Sequence, residues 1–270
     1  MRIASRSVIV TIALAMGVFL SAAAAQADGT AWKAAHDTDP HLPLTAEQLR
    51  MTAQKRQAES IFSANGGVIP SLQCGASCGG GGYPGSASLV ANQTPQITSY
   101  YCGPATVHEA LGAVGVSLSQ SAAATALHTT SGGTAWSGGG TSPSGYPVPD
   151  VLNRYQSRNY YVPQAVSSAS PSAIDTYEND LESDIYAVRA PVVGNAWEVP
   201  NGYHLTGHPS NSQIFHWFEI RGYQSSGAST MYEDSVHGAT SIGWSGNVPA
   251  YSTQPSNQIV SIISGRGYVW

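Results

Sequence analysis

Apolar positions along the chain follow a helical period first and a strand period later. Leu44 and Leu49 bracket Thr45 and Gln48, the pattern of a capping box with a hydrophobic staple. It predicts a helix to about Ser63, stopped by Asn65-Gly66-Gly67. The other positions of this helix are mostly Gln, Arg, Lys and Glu, which places it on the surface. Ala105, Val107, Ala110 and Leu111 continue a helix that opens near Pro104. Leu118 to Leu127 predicts another, capped by Ser119. Pro149 to Arg158 is a short one with Val151, Leu152 and Tyr155 on one face. Pro171 to Val188 is longer, capped by Ser170, with a stripe of Ile174, Tyr177, Leu181 and Ile185.

From Pro191 the period changes. Pro191 to Trp197 reads as a buried strand, and Gln213 to Tyr223 is aromatic and β-branched throughout. Thr230 to Val236 is a third strand after a Ser/Gly turn. Ile242, Val248 and Ile259 to Ile263 suggest further strands. Helices followed by an antiparallel set of strands predict an α+β domain.

Glycine and the termini divide this pattern into parts. Residues 1–27 have a positive start at Arg2 and Arg6, an apolar run from Val8 to Leu20, and an Ala25-Gln26-Ala27 cleavage pattern. They read as a Sec-type signal peptide, so the mature protein is expected to be secreted and free of the membrane. Residues 28–85 form an extension with one helix and a Gly-rich linker, a candidate pro-region or simply a peripheral segment. Residues 86–270 form the main domain. Its loop over residues 128–149 is long, Gly/Ser-rich and carries Trp136 and Tyr146, which marks it as a candidate cleft wall.

Charge removes several function classes. Only 10% of the 270 residues are charged and the net charge is −5, with no cluster of Lys and Arg. Nucleic-acid binding is therefore not expected. Oligomeric state is not legible.

The chain has 3 cysteines. Cys74 and Cys78 stand four apart in a glycine-rich loop and are expected to bridge, leaving Cys102 as a free thiol. Cys102 directly precedes Gly103-Pro104 at a loop-to-helix junction. There the helix dipole favours thiolate, the nucleophilic form. Gln96, six residues earlier, carries an amide able to reach the same helix end. A cysteine nucleophile needs a base and an orienter. His216, in the middle of the strongest strand, is the candidate base. Asp234, at the end of the next strand, is the candidate orienter, with Glu233 as the competing carboxylate on the opposite face. The bland alternatives are a buried cysteine that packs as a small hydrophobe and a histidine satisfied within the core.

These residues resemble the papain-like cysteine peptidases. The pattern is Gln96-x5-Cys102-Gly103-Pro104-Ala105, a later strand His216-Trp217-Phe218-Glu219-Ile220-Arg221-Gly222-Tyr223, and an acidic residue ending the following strand. The similarity spans roughly residues 90–240 and is greatest to the double-glycine leader peptidases, cysteine-peptidase family thirty-nine, and their stand-alone relatives. It implies a papain-like fold, a peptide or protein substrate and no cofactor. It also implies Cys102 as nucleophile, His216 as base, Asp234 as orienter and Gln96 as oxyanion donor. The sequence departs from the family pattern at His108-Glu109 in the helix, at Phe215 before the histidine, and at Ser235, where proline often follows the acid. A fused transporter segment, usual in the leader-processing members, is not expected here.

Other readings of the sequence compete with this one. His204 and His208 have an HxxxH spacing, but they lie in a loop with no third ligand marked, so zinc is not expected. No G-x-S-x-G elbow occurs. A binding protein that has kept the scaffold without activity, or an acyl transferase resolving the thioester with an amine, stands as the alternative to hydrolysis.

Overall fold

The computed structural model describes residues 33, 39–40, 42–64, 82–138 and 142–270. The expected signal segment and the expected Cys74–Cys78 bridge lie outside these residues. Helix α1 spans Ala46–Ala64, α2 Cys102–Ala113, α3 Gln120–Leu127, α4 Pro147–Tyr155, α5 Pro171–Glu182 and α6 Ser256–Ile263. Helix α5 continues as a π-helical segment over Ser183–Val188, ending where Arg189 turns left-handed at φ 62°. Strands are β1 Ala87–Ser88, β2 Pro163–Ala165, β3 Val192–Glu198, β4 Ile214–Gln224, β5 Ser229–Glu233, β6 Tyr251–Pro255 and β7 Gly267–Val269.

All pairings are antiparallel, in the order β2-β7-β3-β4-β5-β6, and β1 pairs with the far end of β4. The fold is α+β. Both faces of the sheet are covered, which explains why β3 and much of β4 read as continuous apolar runs rather than alternating ones. On one face Val193, Trp217 and Val269 meet Val107 and Leu111 of α2, Leu127 of α3 and Leu152 of α4. On the other Val192, Phe218 and Ile220 meet Tyr177 and Leu181 of α5 and Ile259 to Ile263 of α6. Fully burying one such side chain contributes about 1.5–3 kcal/mol, so the two cores fix the sheet between the helices.

Local signals set several boundaries. The Thr45 amide donates to Gln48 Oε1 at 2.9 Å and the Gln48 amide to Thr45 Oγ1 at 3.2 Å, a reciprocal capping box. Ser119 and Ser170 accept from the amides of Ala122 and Ala173. Pro171 occupies the first turn of α5, where its missing N–H costs nothing.

Two expectations are corrected. Ile259 to Ile263 is helical, not a strand: the run sits in α6 with all five residues buried, packed between the sheet and Tyr177 of α5. Tertiary packing there overrides β-branched propensity. Helix α1 lies on the surface as its charge suggests, with most of its residues exposed or half-buried, and it docks through that charge. Arg56 pairs with buried Asp180, and Lys55 lies 3.0 Å from buried Asp184. Both cations also stack over the ring of Trp270, at 4.2 and 4.3 Å from its centroid. Tyr155, assigned to the apolar face of α4, is exposed.

The segment before α1 reaches the same body. Lys33 donates to the Ser261 and Ile262 carbonyls and to Ser264 Oγ at the C-terminal end of α6, where a cation is favoured. Among the described residues, no helix is long and apolar enough to cross a membrane.

Candidate active site

Cys102 is the first residue of α2. Tyr101, at the N-cap, makes no side-chain capping bond, so the first amides of the helix are not spent on a cap. The sulfur accepts hydrogen bonds from the backbone N–H groups of Gly103 and Trp217. Gly103 is needed for close approach, because a Cβ there would collide with the side chain of Thr134 from the loop above it. Trp217 belongs to β4 and its indole N–H donates to the Thr134 carbonyl at 2.9 Å. Helix, strand and loop thus converge on one sulfur.

His216 faces the same cleft as that sulfur and interacts with it electrostatically. Its Nε2 lies 3.0 Å from Asp234 Oδ1. Asp234 follows β5 directly, and its Oδ1 also accepts from the Val236 amide at 2.9 Å, closing a turn that fixes the carboxylate. Burial pushes the Cys102 thiol up, but the His216 hydrogen bond and charge, with the two amides, outweigh it and leave the thiol below its ordinary value. Burial would lower His216, yet the charge and hydrogen bond of Asp234, aided by Cys102, raise it well above the usual range. For Asp234, burial opposes ionisation and loses to the charge of His216 and the bonds from His208 and His216. Its carboxyl is held far below the usual carboxylate range. An ion pair of thiolate and imidazolium is the state these shifts favour.

Gln96 is buried beside this group. Its backbone N–H donates to the Ser235 carbonyl at 2.8 Å, and its Oε1 accepts from the Ser235 hydroxyl at 3.2 Å. Its Nε2 donates to the Thr98 carbonyl at 2.7 Å. The structure therefore brings Gln96 to the Asp234-Ser235 turn, with one amide hydrogen directed at Thr98 and not at the cleft. Glu233, the competing carboxylate, turns the other way. It joins Glu109 of α2 and Glu219 of β4, with one oxygen of each within 4.8 Å of the others.

A cleft of about 290 Å³ opens at Cys102 and His216. Its walls are the segment from Thr130 to Trp136, Asn195, Phe215, Trp217, Arg266 and Asp39. The long Gly/Ser loop contributes part of this wall, as its composition predicts. Trp136 stacks on Trp217 at 5.8 Å, with Tyr146 packed edgewise behind it. Phe215 is exposed, and the Arg266 guanidinium lies over both Phe215 and Trp197. The arm before α1 borders the same cleft. Asp39 accepts from the Trp136 amide at 3.1 Å and lies 3.6 Å from Arg266 Nε, and the Leu42 carbonyl accepts from the Tyr146 hydroxyl at 2.6 Å.

His204 and His208 do not converge on a shared ligand point. His204 bonds to the Gly202 and Ser212 carbonyls. His208 turns inward, with Nε2 3.0 Å from Asp234 Oδ2 and Nδ1 2.9 Å from Glu198 Oε1. Sequence reasoning missed this contact and missed Glu198 entirely. The available signal was an acid ending an otherwise apolar buried strand, which demands a partner. His208, His216 and Asp234 also have ligand atoms within 4.8 Å of one another. Both Nε2 atoms are engaged with Asp234, however, which is a hydrogen-bonded chain and not an open ligand set.

A cysteine at a helix start, a histidine on the facing strand and an acid behind it define a papain-like cysteine peptidase arrangement. The chain belongs to the family described as "Peptidase_C39 like family", which it matches over residues 89–246, more than half its length. No curated protein matches it. Among solved structures it is similar to the peptidase domain of Streptococcus ComA, a bi-functional ABC transporter involved in a quorum-sensing pathway. That likeness is 14% identity over 67% of this chain and 97% of that one, with a TM-score of 0.40. It is also similar to a putative C39-like peptidase from Bacillus anthracis, at 12% identity, 68% and 96% coverage and TM-score 0.42. Digestive procathepsin L 3 of the Tenebrio molitor larval midgut aligns at 13% identity over 83% and 87%, with a TM-score of 0.38.

Proposed function

We propose that the protein is a secreted cysteine peptidase that hydrolyses peptide or isopeptide bonds with Cys102 as nucleophile. The observation that carries this reading is that Cys102 and His216 stand together at one cleft, with His216 Nε2 3.0 Å from Asp234 Oδ1. The Cys102 thiolate attacks the carbonyl carbon, forming the S–C bond while the carbonyl electrons move to oxygen. The Cys102 backbone N–H and the second Nε2 hydrogen of Gln96 would hold that oxyanion, each donor contributing about 3 kcal/mol. As the C–N bond breaks, His216 gives its proton to the leaving amine. Water then adds to the thioester carbon, passing a proton to His216. The acid departs and the thiolate is restored. Phe215, Trp136 and Asn195 line the cleft where side chains of a peptide substrate would lie. Secretion rests on the signal-like pattern of residues 1–27.

The test is alkylation of Cys102 by iodoacetamide across pH, with hydrolysis of a casein-derived peptide pool followed by mass spectrometry. Expected are alkylation that persists well below about pH 8.5, the ordinary thiol value, and cleavage abolished by Cys102→Ser. An ordinary thiol profile unchanged by His216→Ala overturns the dyad. Cleavage retained by Cys102→Ser overturns the peptidase reading.

A further inference from the structure

His208 comes from the loop between β3 and β4, and its side chain is fully buried. Its Nε2 lies 3.0 Å from Asp234 Oδ2. Its Nδ1 lies 2.9 and 3.0 Å from the two oxygens of Glu198, the last residue of β3. Each ring nitrogen thus faces a carboxylate oxygen, Nδ1 that of Glu198 and Nε2 that of Asp234. Glu198 is itself pinned by the Leu205 amide, 2.9 Å from Oε1. The ring is packed edgewise against Trp244, with centroids 4.7 Å apart, and against His216 at 5.3 Å. Each Asp234 oxygen therefore takes one imidazole, Oδ1 from His216 and Oδ2 from His208.

We propose that His208, held by Glu198, is a positioning residue of the catalytic site: it locks the rotation of Asp234 and so aims His216 at Cys102. The inference rests on the assignment of Cys102 as nucleophile. His216 and the Val236 amide both bond to Oδ1, so a carboxylate held there alone can still pivot about that oxygen, and any swing of Asp234 moves the His216 ring that leans on it. Bonding Oδ2 to a second buried ring removes that freedom. Carboxylate and imidazole alternate along the chain, Glu198, His208, Asp234 and His216, up to the Cys102 sulfur. His204 also faces Glu198, with its Nε2 at 3.9 Å, and Glu109 lies electrostatically close to Asp234.

Two substitutions separate positioning from charge and from bulk. His208→Leu keeps most of the volume and leaves Oδ2 without a donor. Glu198→Gln keeps every bond, since the new amide donates to Nδ1 and accepts from Leu205, and removes only the carboxylate charge. Expected for His208→Leu is a fall in kcat of about tenfold or more with KM within about twofold. The Cys102 alkylation midpoint should also rise toward that of His216→Ala. His208→Gln, which restores one donor, should recover most of the loss, and Glu198→Gln should lose clearly less than His208→Leu. A His208→Leu enzyme with lowered stability but unchanged kcat and alkylation profile overturns the proposal. So does a Glu198→Gln enzyme as impaired as His208→Leu. Should His208→Leu not fold, the wild-type ¹H NMR spectrum decides: both N–H bonds to Asp234 must give low-field imidazole resonances, and one from His216 alone overturns the inference. A wild-type protein that neither cleaves peptides nor alkylates at low pH would instead reject the peptidase assignment, which is a distinct result.

Discussion

The Ser235 hydroxyl donates to Gln96 Oε1 at 3.2 Å, so the residue after the acid holds the residue proposed to bind the oxyanion. Proline, common at this position in the family, has no such group. The departure at Ser235 thus ties Gln96 to the Asp234 turn through a side chain as well as through the backbone bond from Gln96 N–H to Ser235 O. Ser235→Ala removes that donor and leaves a buried acceptor unpaired, at a cost of about 1–3 kcal/mol in stability. It should also lower kcat by about tenfold, less than the 10²–10³ typical of deleting an oxyanion donor outright, as in Gln96→Ala. Steady-state kinetics on both variants check this. A Ser235→Ala enzyme that melts earlier but turns over at the wild-type rate would leave Ser235 with a structural role only.

The activity profile should carry the signature of the ion pair. Cys102 is shifted down and His216 up, so the active pair exists between the two values. Activity is lost as pH falls through the lowered thiol value, when the nucleophile protonates. It is lost again as pH rises through the raised imidazole value, when the acid for the leaving amine is gone. The kcat/KM profile of the free enzyme should be a bell whose acid limb lies below the ordinary thiol value and whose alkaline limb lies above the ordinary histidine value. A single sigmoid rising near the ordinary thiol value would contradict it.

Three buried carboxylates set the stability profile. Glu109, Glu219 and Glu233 lie together behind the site, and neither Glu219 oxygen has a hydrogen-bond partner among the described residues. Burial, then mutual repulsion, raises Glu219 well above its ordinary 4.5. Burial pushes Glu233 up to about 7 against the Asn92 amide and Arg221. For an acid whose folded value is raised, the stabilisation is complete below the unfolded value and disappears as pH rises through the folded one. The protein should therefore lose stability between about pH 4.5 and pH 8. Glu219→Gln should gain about 1–4 kcal/mol at pH 8 and little at pH 4.5. Urea midpoints at the two pH values measure the difference, and an equal gain at both would refute the titration account.

Much of the site was legible because its residues sit in local patterns. Cys102 was marked by Gly103-Pro104 and the helix after it, and Asp234 by strand alternation relative to Glu233. The Thr45, Ser119 and Ser170 caps are contained within four-residue windows and fixed their helices closely. The failures share a different cause. Ile259 to Ile263 is rich in β-branched residues and all five are buried, and burial on every side of that turn erases the period that distinguishes helix from strand. Lys55 and Arg56 look solvated until Asp180, Asp184 and Trp270 arrive from more than a hundred residues away. His208 lies in a loop without periodicity, and its partners Glu198 and Asp234 come from two different strands.

The docking of α1 gives a last test, of how the segment before the main domain is held. Asp180 is fully buried and takes Arg56 together with the Tyr268 hydroxyl at 2.6 Å. Arg56 is about a third exposed on its side chain, so water screens part of the pair, while its plane covers the Trp270 ring. Removing one partner of a buried pair costs about 3–5 kcal/mol, and partial exposure reduces that. Arg56→Ala should therefore destabilise the protein by about 2–3 kcal/mol. Arg56→Lys should recover less than half, because a single ammonium cannot both fork onto the carboxylate and stack flat on the indole. The arm from Asp39 to Leu44 leads directly into α1 and touches the cleft through Asp39, so a loosened helix should also make cleft access faster. Iodoacetamide should then label Cys102 more rapidly in Arg56→Ala at a pH where the wild-type thiolate is fully formed. Unchanged stability would mean that α1 is held by its apolar contacts alone. Unchanged labelling with lowered stability would mean that the arm is anchored independently, by Trp136, Tyr146 and Arg266.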